Sequence, residues 1–451
     1  MSSQMGTIHH VHFVGIGGVG MSGIAEVLIN LGYAVQGSDV KQNLITERLA
    51  SLGAKIFIGH DSDHIGSADV VVVSSAIAPD NPEIIKATQQ RIPVVQRAEM
   101  LAELMRFRSG IAVAGTHGKT TTTSLIASML SEGGLDPTFV IGGRLASTNA
   151  NAQLGEGEYL VAEADESDAS FLHLQPVIAI VTNVDADHLE TYEGDFNRLK
   201  QGFTDFLHNL PFYGLAIVCN DDLNARTLIP AVGRRVLTYG VSDGSDIRAE
   251  DVKSVGLASS FLVHRVGHEP LELKVNLPGF HNMLNSLAAV SVATELGVSD
   301  EAIKKALLEF SGIDRRFQVL GTVTTRNGLV TFVDDYAHHP TEIAATIEAA
   351  RQSWPGNRVV VAFQPHRYTR THALMDDFSE VLSGADVLLL TDIYSAGEEP
   401  IIGADGRALA RAVRSRGRVE PVFVEDLKEL PSVLEVVIEA DDIVLMLGAG
   451  N

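Results

Sequence analysis

Short runs of Val and Ile alternate along almost the whole chain with longer stretches in which apolar residues recur three and four positions apart. The first pattern is typical of parallel strands that are buried on both faces, and the second predicts amphipathic helices. In the first hundred residues the predicted strands are Ile8–Gly15, Ala34–Gly37, Lys55–Ile58 and Val70–Ser74, and the predicted helices are Met21–Leu31 and Leu44–Leu52. This alternation predicts a doubly wound α/β fold.

The same pattern continues through two further segments. In the second segment the predicted strands are Ile111–Ala114, Tyr159–Ala162, Val177–Thr182 and Leu215–Cys219, and the predicted helices are Lys119–Glu132, His281–Leu296 and Asp300–Phe310. Residues 246–276 alternate apolar and polar positions, which predicts a small antiparallel insertion. In the third segment the predicted strands are Leu329–Val333, Arg358–Ala362, Val387–Thr391, Val422–Val424 and Ile443–Leu447. A strand and a glycine-rich turn, as at 448–451, normally lead into a helix, so we expect either a further helix beyond residue 451 or a disordered end.

The length of 451 residues agrees with three domains at roughly 150 residues each. We place their boundaries at 1–107, 108–313 and 314–451. The formal net charge of −23 makes nucleic acid and anionic lipid unsuitable as general partners, although local cations can still bind a small anion. Cys219 is the single cysteine, no apolar run is long enough for a membrane helix, and the N-terminus does not resemble a signal peptide. We therefore expect a cytoplasmic protein without membrane insertion.

A first glycine-rich loop follows the first predicted strand and opens a helix. Its glycines are Gly15, Gly17, Gly18 and Gly20, and Asp39 ends the next strand. Backbone N–H groups of such a loop can face a diphosphate, and the acidic residue can accept hydrogen bonds from ribose. Ser74 and Ser75 end a later strand at the same edge of the sheet, where ligands of open sheets bind. The motif does not separate NAD from another diphosphate, and a glycine turn needed only for packing is the structural alternative.

A second glycine-rich loop follows the strand Ile111–Ala114 and opens the next helix. It comprises Gly115, Thr116, His117, Gly118, Lys119, Thr120 and Thr121. This loop resembles a P-loop, although two residues rather than four separate its glycines. Its N–H groups would surround a phosphate, Lys119 would neutralise the outer phosphates, and the Thr120 hydroxyl would bind Mg²⁺. The loop therefore predicts an ATP or GTP site.

The presence of both loops favours an ATP-driven enzyme that acts on a nucleotide-linked substrate. An NAD-dependent dehydrogenase has no use for the second loop, and a simple nucleotide triphosphatase has no use for the first. A protein that binds both nucleotides without chemistry is the main alternative from another class.

Carboxylates and histidines follow two later strands of the second segment. Glu163 ends one strand and begins an acidic turn, which suits Mg²⁺ but is also typical of a solvated surface. His188 follows another strand and is equally compatible with a metal ligand and with a packed loop histidine. In the third segment His338 precedes a helix that Pro340 can start, and Arg367 and Arg370 share one strand-end loop. Two arginines so placed can hold a carboxylate or a phosphoryl group, or can form surface ion pairs.

Eight segments, in this order, resemble the signature motifs of the Mur ligases. These segments are 15–20, 115–123, 163–168, 182–188, 279–285, 314–318, 334–340 and 364–371. The resemblance covers essentially the whole chain and implies a Rossmann-like N-terminal domain, a P-loop-type central ATPase domain and a Rossmann-like C-terminal domain. Within the family it is strongest to the members that add L-alanine. The tripeptide-adding ligases of cell-wall recycling are the nearest alternative, and Ser167 and the run His366-Arg367-Tyr368 separate this chain from them.

The resemblance implies ATP-dependent ligation of L-alanine to the carboxylate of UDP-N-acetylmuramate through an acyl phosphate. ATP and Mg²⁺ would be the cofactors, with two ions expected and Mn²⁺ as a substitute, and the chain would act as a monomer or homodimer. The UDP substrate would bind at Gly15–Gly20, Asp39, Ser74 and Ser75, and Thr120, Glu163 and His188 would bind the metal. The ATP site would comprise the second loop with His281, Asn282, Asn285 and Arg315, with Arg316 approaching the nucleotide. Lys119, His338, Arg367 and Arg370 would be the catalytic residues.

Overall fold

The structure is a computed structural model that describes residues 5–74, 76–145 and 150–450. Packing divides the chain into two compact units. The first unit comprises Met1–Ala249, His264–Glu269 and Asn285–Leu307, and the second comprises Glu250–Val263, Pro270–Leu284 and Leu308–Asn451. Three sheets built mainly of parallel strands confirm the predicted α/β fold. Among the described residues, no helix combines the length and the apolar character needed to cross a bilayer.

The first sheet is fully parallel and has the strand order β3-β2-β1-β4-β5. Its strands are β1 (His10–Val14), β2 (Ala34–Asp39), β3 (Lys55–Ile58), β4 (Val70–Val73) and β5 (Val94–Gln96). Its helices are α1 (Val19–Asn30), α2 (Leu44–Ser51), α3 (Pro82–Gln90) and α4 (Arg97–Arg106). The strand order reverses between β1 and β4, so the loops after these two strands lie at the same edge, where a ligand can bind between them.

The second sheet has ten strands in the order β15-β14-β13-β12-β11-β10-β6-β9-β7-β8. They are β6 (Ser109–Ala114), β7 (Thr138–Leu145), β8 (Ala150–Gln153), β9 (Tyr159–Glu163), β10 (Ile178–Val181), β11 (Leu215–Cys219), β12 (Arg235–Gly240), β13 (Ile247–Val255), β14 (Ala258–Arg265) and β15 (Leu271–Val275). The helices of this segment are α5 (Lys119–Glu132), α6 (Phe196–His208), α7 (Leu223–Leu228), α8 (Phe280–Glu295) and α9 (Asp300–Glu309). The stretch predicted as an antiparallel insertion forms β13 to β15, of which β14 and β15 pair antiparallel.

The third sheet lies in the second unit and has the order β16-β17-β21-β18-β19-β20. Its strands are β16 (Gln318–Thr325), β17 (Gly328–Asp335), β18 (Val359–Phe363), β19 (Val387–Thr391), β20 (Val422–Val424) and β21 (Ile443–Leu447). Its helices are α10 (Pro340–Ser353), α11 (Tyr368–Ala373), α12 (Met375–Leu382), α13 (Gly406–Ser415) and α14 (Leu430–Val437). Helix α10 begins at Pro340, as the sequence predicts, and His339 and Glu342 form its capping box.

Helix α1 of the first sheet packs on strands β7 and β8 of the second sheet within the first unit. The Asn151 amide donates a 2.8 Å hydrogen bond to the carbonyl of Val19 in the first turn of α1. A Cβ atom added at the buried Gly23 would lie 3.2 Å from side-chain atoms of Ala152 and Val140. A side chain at this position would displace these neighbours by a few tenths of an ångström, so glycine favours the close approach of α1. Both glycine-rich loops lie in this one compact unit.

We expect Gly37→Ala to lower the free energy of unfolding by about 1–3 kcal/mol, because the new methyl group overpacks the first sheet. An added Cβ at this position would lie 2.7 Å from the carbonyl oxygen of Phe13 and 2.8 Å from Cβ of Ile16. Urea denaturation followed by circular dichroism measures the change. Ala50→Ser, at an exposed position of α2, serves as the control and should stay within a few tenths of a kcal/mol of the unmodified protein. Equal midpoints for Gly37→Ala and the control would contradict the packing described here.

Candidate active site

The first glycine loop is held in shape by the end of strand β2. The backbone N–H groups of Gly15 and Ile16 both donate to the carbonyl of Ser38, at 2.8 and 3.0 Å. The N–H of Gly17 donates to Oδ2 of Asp39 at 2.8 Å, and a Cβ at Gly17 would lie 2.7 Å from the same oxygen. Asp39 therefore touches the loop directly, as the motif predicts, and its close approach explains why Gly17 has no side chain.

The loop after β4 lies against the first glycine loop. Ile77 Cδ1 would be 3.2 Å from a Cβ added at Gly15, and the Ser74 hydroxyl accepts a hydrogen bond from the N–H of Ala76 at 3.1 Å. Helix α1 begins after Gly18, so its N-terminus points into the same region. Ser75, also predicted to bind the substrate, lies outside the described residues.

Arg97 is a candidate binding residue that the sequence does not reveal. Its side chain lies along the first glycine loop, with Cδ 3.2 Å and Nη1 3.4 Å from the position of a Cβ at Gly20. Its charge also helps to lower the pKa of Asp165, which lies beside the second glycine loop. Within the described part of the chain, no carboxylate lies within ion-pair distance of the guanidinium. Arg97 thus places a positive charge between the two loops.

The second glycine loop packs tightly against the segment that follows β10. A Cβ at Gly115, whose φ is +134°, would collide with the hydroxyl of Thr182. The Thr182 hydroxyl donates to the carbonyl of His117 at 2.7 Å, and the N–H of His117 donates to Oδ1 of Asn183 at 2.8 Å. These contacts fix the path of the loop between β6 and α5.

The ammonium group of Lys119 contacts the backbone of its own loop and a buried carboxylate. It donates to the carbonyl of Gly115 at 2.7 Å and forms a 2.7 Å ion pair with Glu166, whose side chain is buried. Burial alone would lower the pKa of Lys119, but the carboxylates of Glu166 and Asp165 raise it above its ordinary value. The lysine is therefore a permanent cation at the position where a P-loop binds phosphate.

The threonines at the start of α5 are buried, and the predicted residue Asn285 contacts this region. Asn285 Oδ1 accepts a 3.2 Å hydrogen bond from Thr122 and lies 2.5 Å from the position of a Cβ at Gly118. The side chain of His117 lies 3.1 Å from Asp185, and the Thr116 hydroxyl accepts a hydrogen bond from the N–H of Asp185. Asn285 thus contacts the loop, as the resemblance implies, and Thr121 lies buried in the first turn of α5.

The three predicted metal ligands belong to segments that end or follow three adjacent strands. Thr120 follows β6, Glu163 ends β9 and His188 follows β10, and β6 pairs with both of the other strands. Glu163 Oε1 accepts a 2.6 Å hydrogen bond from the N–H of Gly142, and His188 Nε2 lies 3.5 Å from a carboxylate oxygen of Asp187. The hydroxyl and carboxylate oxygens suit Mg²⁺ and Mn²⁺.

In the second unit, aromatic rings and histidines gather at the carboxyl edge of the third sheet. His338 lies edge-on to Tyr336 and to His366, with ring centroids 5.2 and 6.0 Å apart. His366 stacks on Tyr394 at 5.4 Å. Burial, together with the charges of nearby His338 and two arginines, lowers the pKa of His366 to about 4, so its ring is neutral at pH 7.

Positively charged residues surround this histidine cluster. Arg370 is buried, whereas Arg367 is half exposed and lies 3.8 Å from a carboxylate oxygen of Glu398. Arg315 donates to the carbonyls of Gly448 and Gly450 at 2.6 and 3.0 Å and stacks over the ring of Tyr336. Arg316 also lies over that ring, 5.1 Å from its centroid.

The last two predicted nucleotide-binding residues lie at the start of α8. The Asn282 amide donates a 2.8 Å hydrogen bond to the carbonyl of Pro278, and the ring of His281 lies beside Gly279. Both residues belong to the second unit, whereas Asn285 on the same helix belongs to the first.

Comparison with known proteins gives consistent matches over the whole chain. Residues 10–109 match the Mur ligase family catalytic domain, 113–293 the Mur ligase middle domain and 315–450 the Mur ligase glutamate ligase domain. A UDP-N-acetylmuramate–L-alanine ligase of Methylococcus capsulatus is 61% identical over 447 residues, which cover 99% of this chain and 95% of that protein.

Solved structures agree with this assignment. A UDP-N-acetylmuramate–alanine ligase of Thermotoga maritima superimposes with a TM-score of 0.82 at 32% identity, covering 98% of this chain and 96% of that one. A murein peptide ligase of Psychrobacter arcticus gives a TM-score of 0.71 at 26% identity, with the same coverage of 98% and 96%. The three matched domains, the strand orders and the two glycine-rich loops lead to one conclusion: the chain belongs to the Mur ligase family.

Proposed function

We propose that this protein joins L-alanine to the carboxylate of UDP-N-acetylmuramate and forms UDP-N-acetylmuramoyl-L-alanine, ADP and phosphate. One observation carries the proposal: a single compact unit holds both a diphosphate-type loop with Asp39 and a phosphate loop with a buried lysine. A reaction that needs both an ATP site and a nucleotide-linked acid accounts for the pair of loops. The 61% identity to an L-alanine ligase supports this choice of amino acid.

In this proposal the domains have separate tasks. Residues 1–107 bind the UDP substrate, 108–313 bind ATP and 314–451 bind the amino acid. The three sheets and the three matched family domains support this division. We place the reaction in the cytoplasm, where ATP is available. The protein would act as a monomer or a homodimer.

The first chemical step is governed by electrostatics. The substrate carboxylate attacks the γ-phosphate of ATP, so an acyl phosphate forms and ADP leaves. Two unit charges 4 Å apart repel by about 4 kcal/mol at an effective dielectric constant of 20, so this approach needs positive charge. Lys119 and the N-terminus of α5 supply it from the protein, and Arg97 adds a cation on the side of the first loop.

Thr120, Glu163 and His188 would hold the metal in this proposal. Two Mg²⁺ ions are expected, with Mn²⁺ as a substitute, and bound ions supply charge neutralisation to the phosphate oxygens. The N–H of Gly142 donates a hydrogen bond to one carboxylate oxygen of Glu163 and so restricts the orientation of this side chain. His188 is close to the carboxylate of Asp187, which favours a defined ring orientation.

In the second step the amine of L-alanine attacks the acyl carbon, and phosphate leaves. Arg367 and Arg370 carry charge that suits the carboxylate of the amino acid or the transferred phosphoryl group. The neutral ring of His366 does not repel an ammonium group, and His338 lies beside it. These groups form the amino-acid end of the proposed site.

The tripeptide-adding reaction of cell-wall recycling is the second candidate. The structural match to the murein peptide ligase of Psychrobacter arcticus favours it, but the identity of 26% is far below the 61% to the L-alanine ligase. A protein that binds both nucleotides without chemistry would release no phosphate from ATP, so the phosphate assay separates it from both ligases.

We expect phosphate release from ATP to require UDP-N-acetylmuramate and L-alanine together. A coupled phosphate assay with each amino acid or peptide measures this, and mass spectrometry identifies the product. Adding EDTA should stop the reaction, and excess Mg²⁺ should restore it. Phosphate release with the tripeptide in place of L-alanine would support the second candidate. Binding of both nucleotides without phosphate release would support the protein without chemistry.

We expect Lys119→Met to lower turnover about 100- to 1,000-fold, because the cation that faces the phosphate is lost. The change leaves the buried Glu166 without its ion-pair partner, so the double variant Lys119→Met/Glu166→Gln is needed to preserve the fold. Both variants should still bind the UDP substrate. Lys305→Met, which removes a largely exposed lysine paired with Glu132, is the matched control. Normal turnover in the double variant would refute the role of Lys119.

We expect Arg97→Met to raise the KM for UDP-N-acetylmuramate about 10- to 100-fold, because one charge-assisted hydrogen bond to an anion is lost. The KM for ATP should change much less. Steady-state kinetics with each substrate varied in turn separate the two effects. Arg106→Met, at the exposed end of the same helix, should leave both values unchanged. A KM for the UDP substrate equal to that of the control would exclude a contact between Arg97 and that substrate.

A further inference from the structure

A buried carboxylate with three histidines lies behind the first glycine loop, outside the site described above. Glu83 is fully buried in the first turn of α3. His64 Nδ1 donates to one of its oxygens at 2.9 Å, and His60 Nδ1 lies 3.3 Å from the other oxygen. His12, also fully buried, points Nε2 at the same second oxygen from 3.7 Å. We call Glu83, His12, His60 and His64 the Glu83 cluster.

The Glu83 cluster is connected to the glycine loop through Ser38. The Ser38 hydroxyl donates to Glu83 Oε2 at 2.6 Å, and His60 Nδ1 lies 3.0 Å from the same hydroxyl. The carbonyl of Ser38 accepts the N–H groups of Gly15 and Ile16, and the next residue, Asp39, accepts the N–H of Gly17. One residue therefore contacts the carboxylate with its side chain and the loop with its backbone.

The groups around Glu83 stabilise its ionised, negatively charged form. Burial alone would raise the pKa of this carboxyl, but the nearby His12 together with the hydrogen bonds from Ser38 and His64 lowers it to about 2. The N-terminus of α3 adds favourable partial charge, and Asn81 caps that helix by accepting the N–H of Glu83 at 2.9 Å. An ionised acceptor makes stronger hydrogen bonds than a neutral one, so it fixes the Ser38 hydroxyl firmly.

A second carboxylate of the same sheet holds a different strand end. Asp69 provides a comparison in the same sheet, because it accepts the N–H groups of His9 and His10 at 2.7 and 2.8 Å. Asp69 thus holds the backbone at the beginning of β1. The Glu83 cluster holds the end of β2, which contacts the first glycine loop and carries Asp39. The two carboxylates hold opposite edges of one sheet.

We propose that Glu83 is a positioning residue for the UDP substrate: through the Ser38 hydroxyl it sets the end of β2, and so it fixes the path of the first glycine loop and the position of the Asp39 carboxylate. This inference rests on the proposed function, because it takes the ligand of that loop to be a uridine diphosphate. Glu83 does not contact the ligand itself. Its loss should therefore weaken binding at the first loop and leave the phosphate loop around Lys119 unaffected.

The test is calorimetric titration of the whole protein with UDP, with UDP-N-acetylmuramate and with a non-hydrolysable ATP analogue. Glu83→Gln should raise the Kd for UDP about tenfold, which corresponds to the loss of one buried charge-assisted hydrogen bond, and should change the Kd for the ATP analogue less than twofold. Asp69→Asn is the matched control, and it should lower the melting temperature without weakening UDP binding.

Ser38→Ala and the double variant Ser38→Ala/Glu83→Gln complete a double-mutant cycle. If Glu83 acts through the Ser38 hydroxyl, the double variant should bind UDP no more weakly than the weaker of the two single variants. Strictly additive effects would contradict that route. Equal UDP affinity for Glu83→Gln and the unmodified protein would overturn the inference, as would equal losses of UDP and ATP-analogue affinity.

These outcomes are separate from failure of the proposed function. If the unmodified protein itself did not bind UDP or UDP-N-acetylmuramate, the assignment of the first loop would be wrong. If the unmodified protein binds both and Glu83→Gln binds them equally well, only the positioning role is lost.

Discussion

The buried ion pair between Lys119 and Glu166 is the interaction on which the phosphate loop depends. A chain with a formal net charge of −23 repels anions at long range, including the nucleotide proposed to bind here. Glu166 allows a lysine to remain charged inside that site, and the lysine in turn holds the carbonyl of Gly115. The loop is therefore preformed around a cation. Attraction at this point is local and strong, whereas repulsion elsewhere is distant and screened by salt.

The remaining groups of the site follow from the geometry of parallel sheets. Strand β6 carries the phosphate loop, and its two neighbours end in Glu163 and in the segment that leads to His188. In the first sheet, β1 and β4 diverge at the point where the strand order reverses, and the glycine loop lies there beside Ile77. The same rule gathers His338 and His366 at the edge of the third sheet. Chemistry is thus concentrated at strand ends, where side chains from distant parts of the sequence meet.

Local sequence patterns predicted much of this arrangement. The loops at Gly15 and Gly115 follow buried strands and open helices, as the motifs require, and Asp39 contacts the first loop. Strand β16 was not predicted, because most of its residues are exposed and it pairs at the edge of the third sheet. Strands β7 and β8 were also missed, since neither forms a long apolar run. Strand β7 pairs with β8 and with β9, and these contacts form only when the chain folds.

Arg97 and Glu83 illustrate a different limit. Each lies near the start of an ordinary amphipathic helix, and nothing in the neighbouring residues distinguishes it from a surface charge. Their roles come from contacts with residues far away in the chain, Gly20 for Arg97 and Ser38 for Glu83. Such contacts exist only after folding, so neither hydrophobic periodicity nor motif spacing can predict them. The predicted roles of His281, Asn282 and Arg315 came from family resemblance for the same reason.

The contact of α1 with the second sheet limits how this architecture can be recombined. Gly23 brings the helix close to Val140 and Ala152, and Asn151 holds the carbonyl of Val19. A chimera that grafts a foreign N-terminal module onto the second sheet would best keep this fit with a residue as small as glycine at this position. A bulkier residue would have to displace the side chains of Val140 or Ala152, and the graft would then alter the packing beneath both loops.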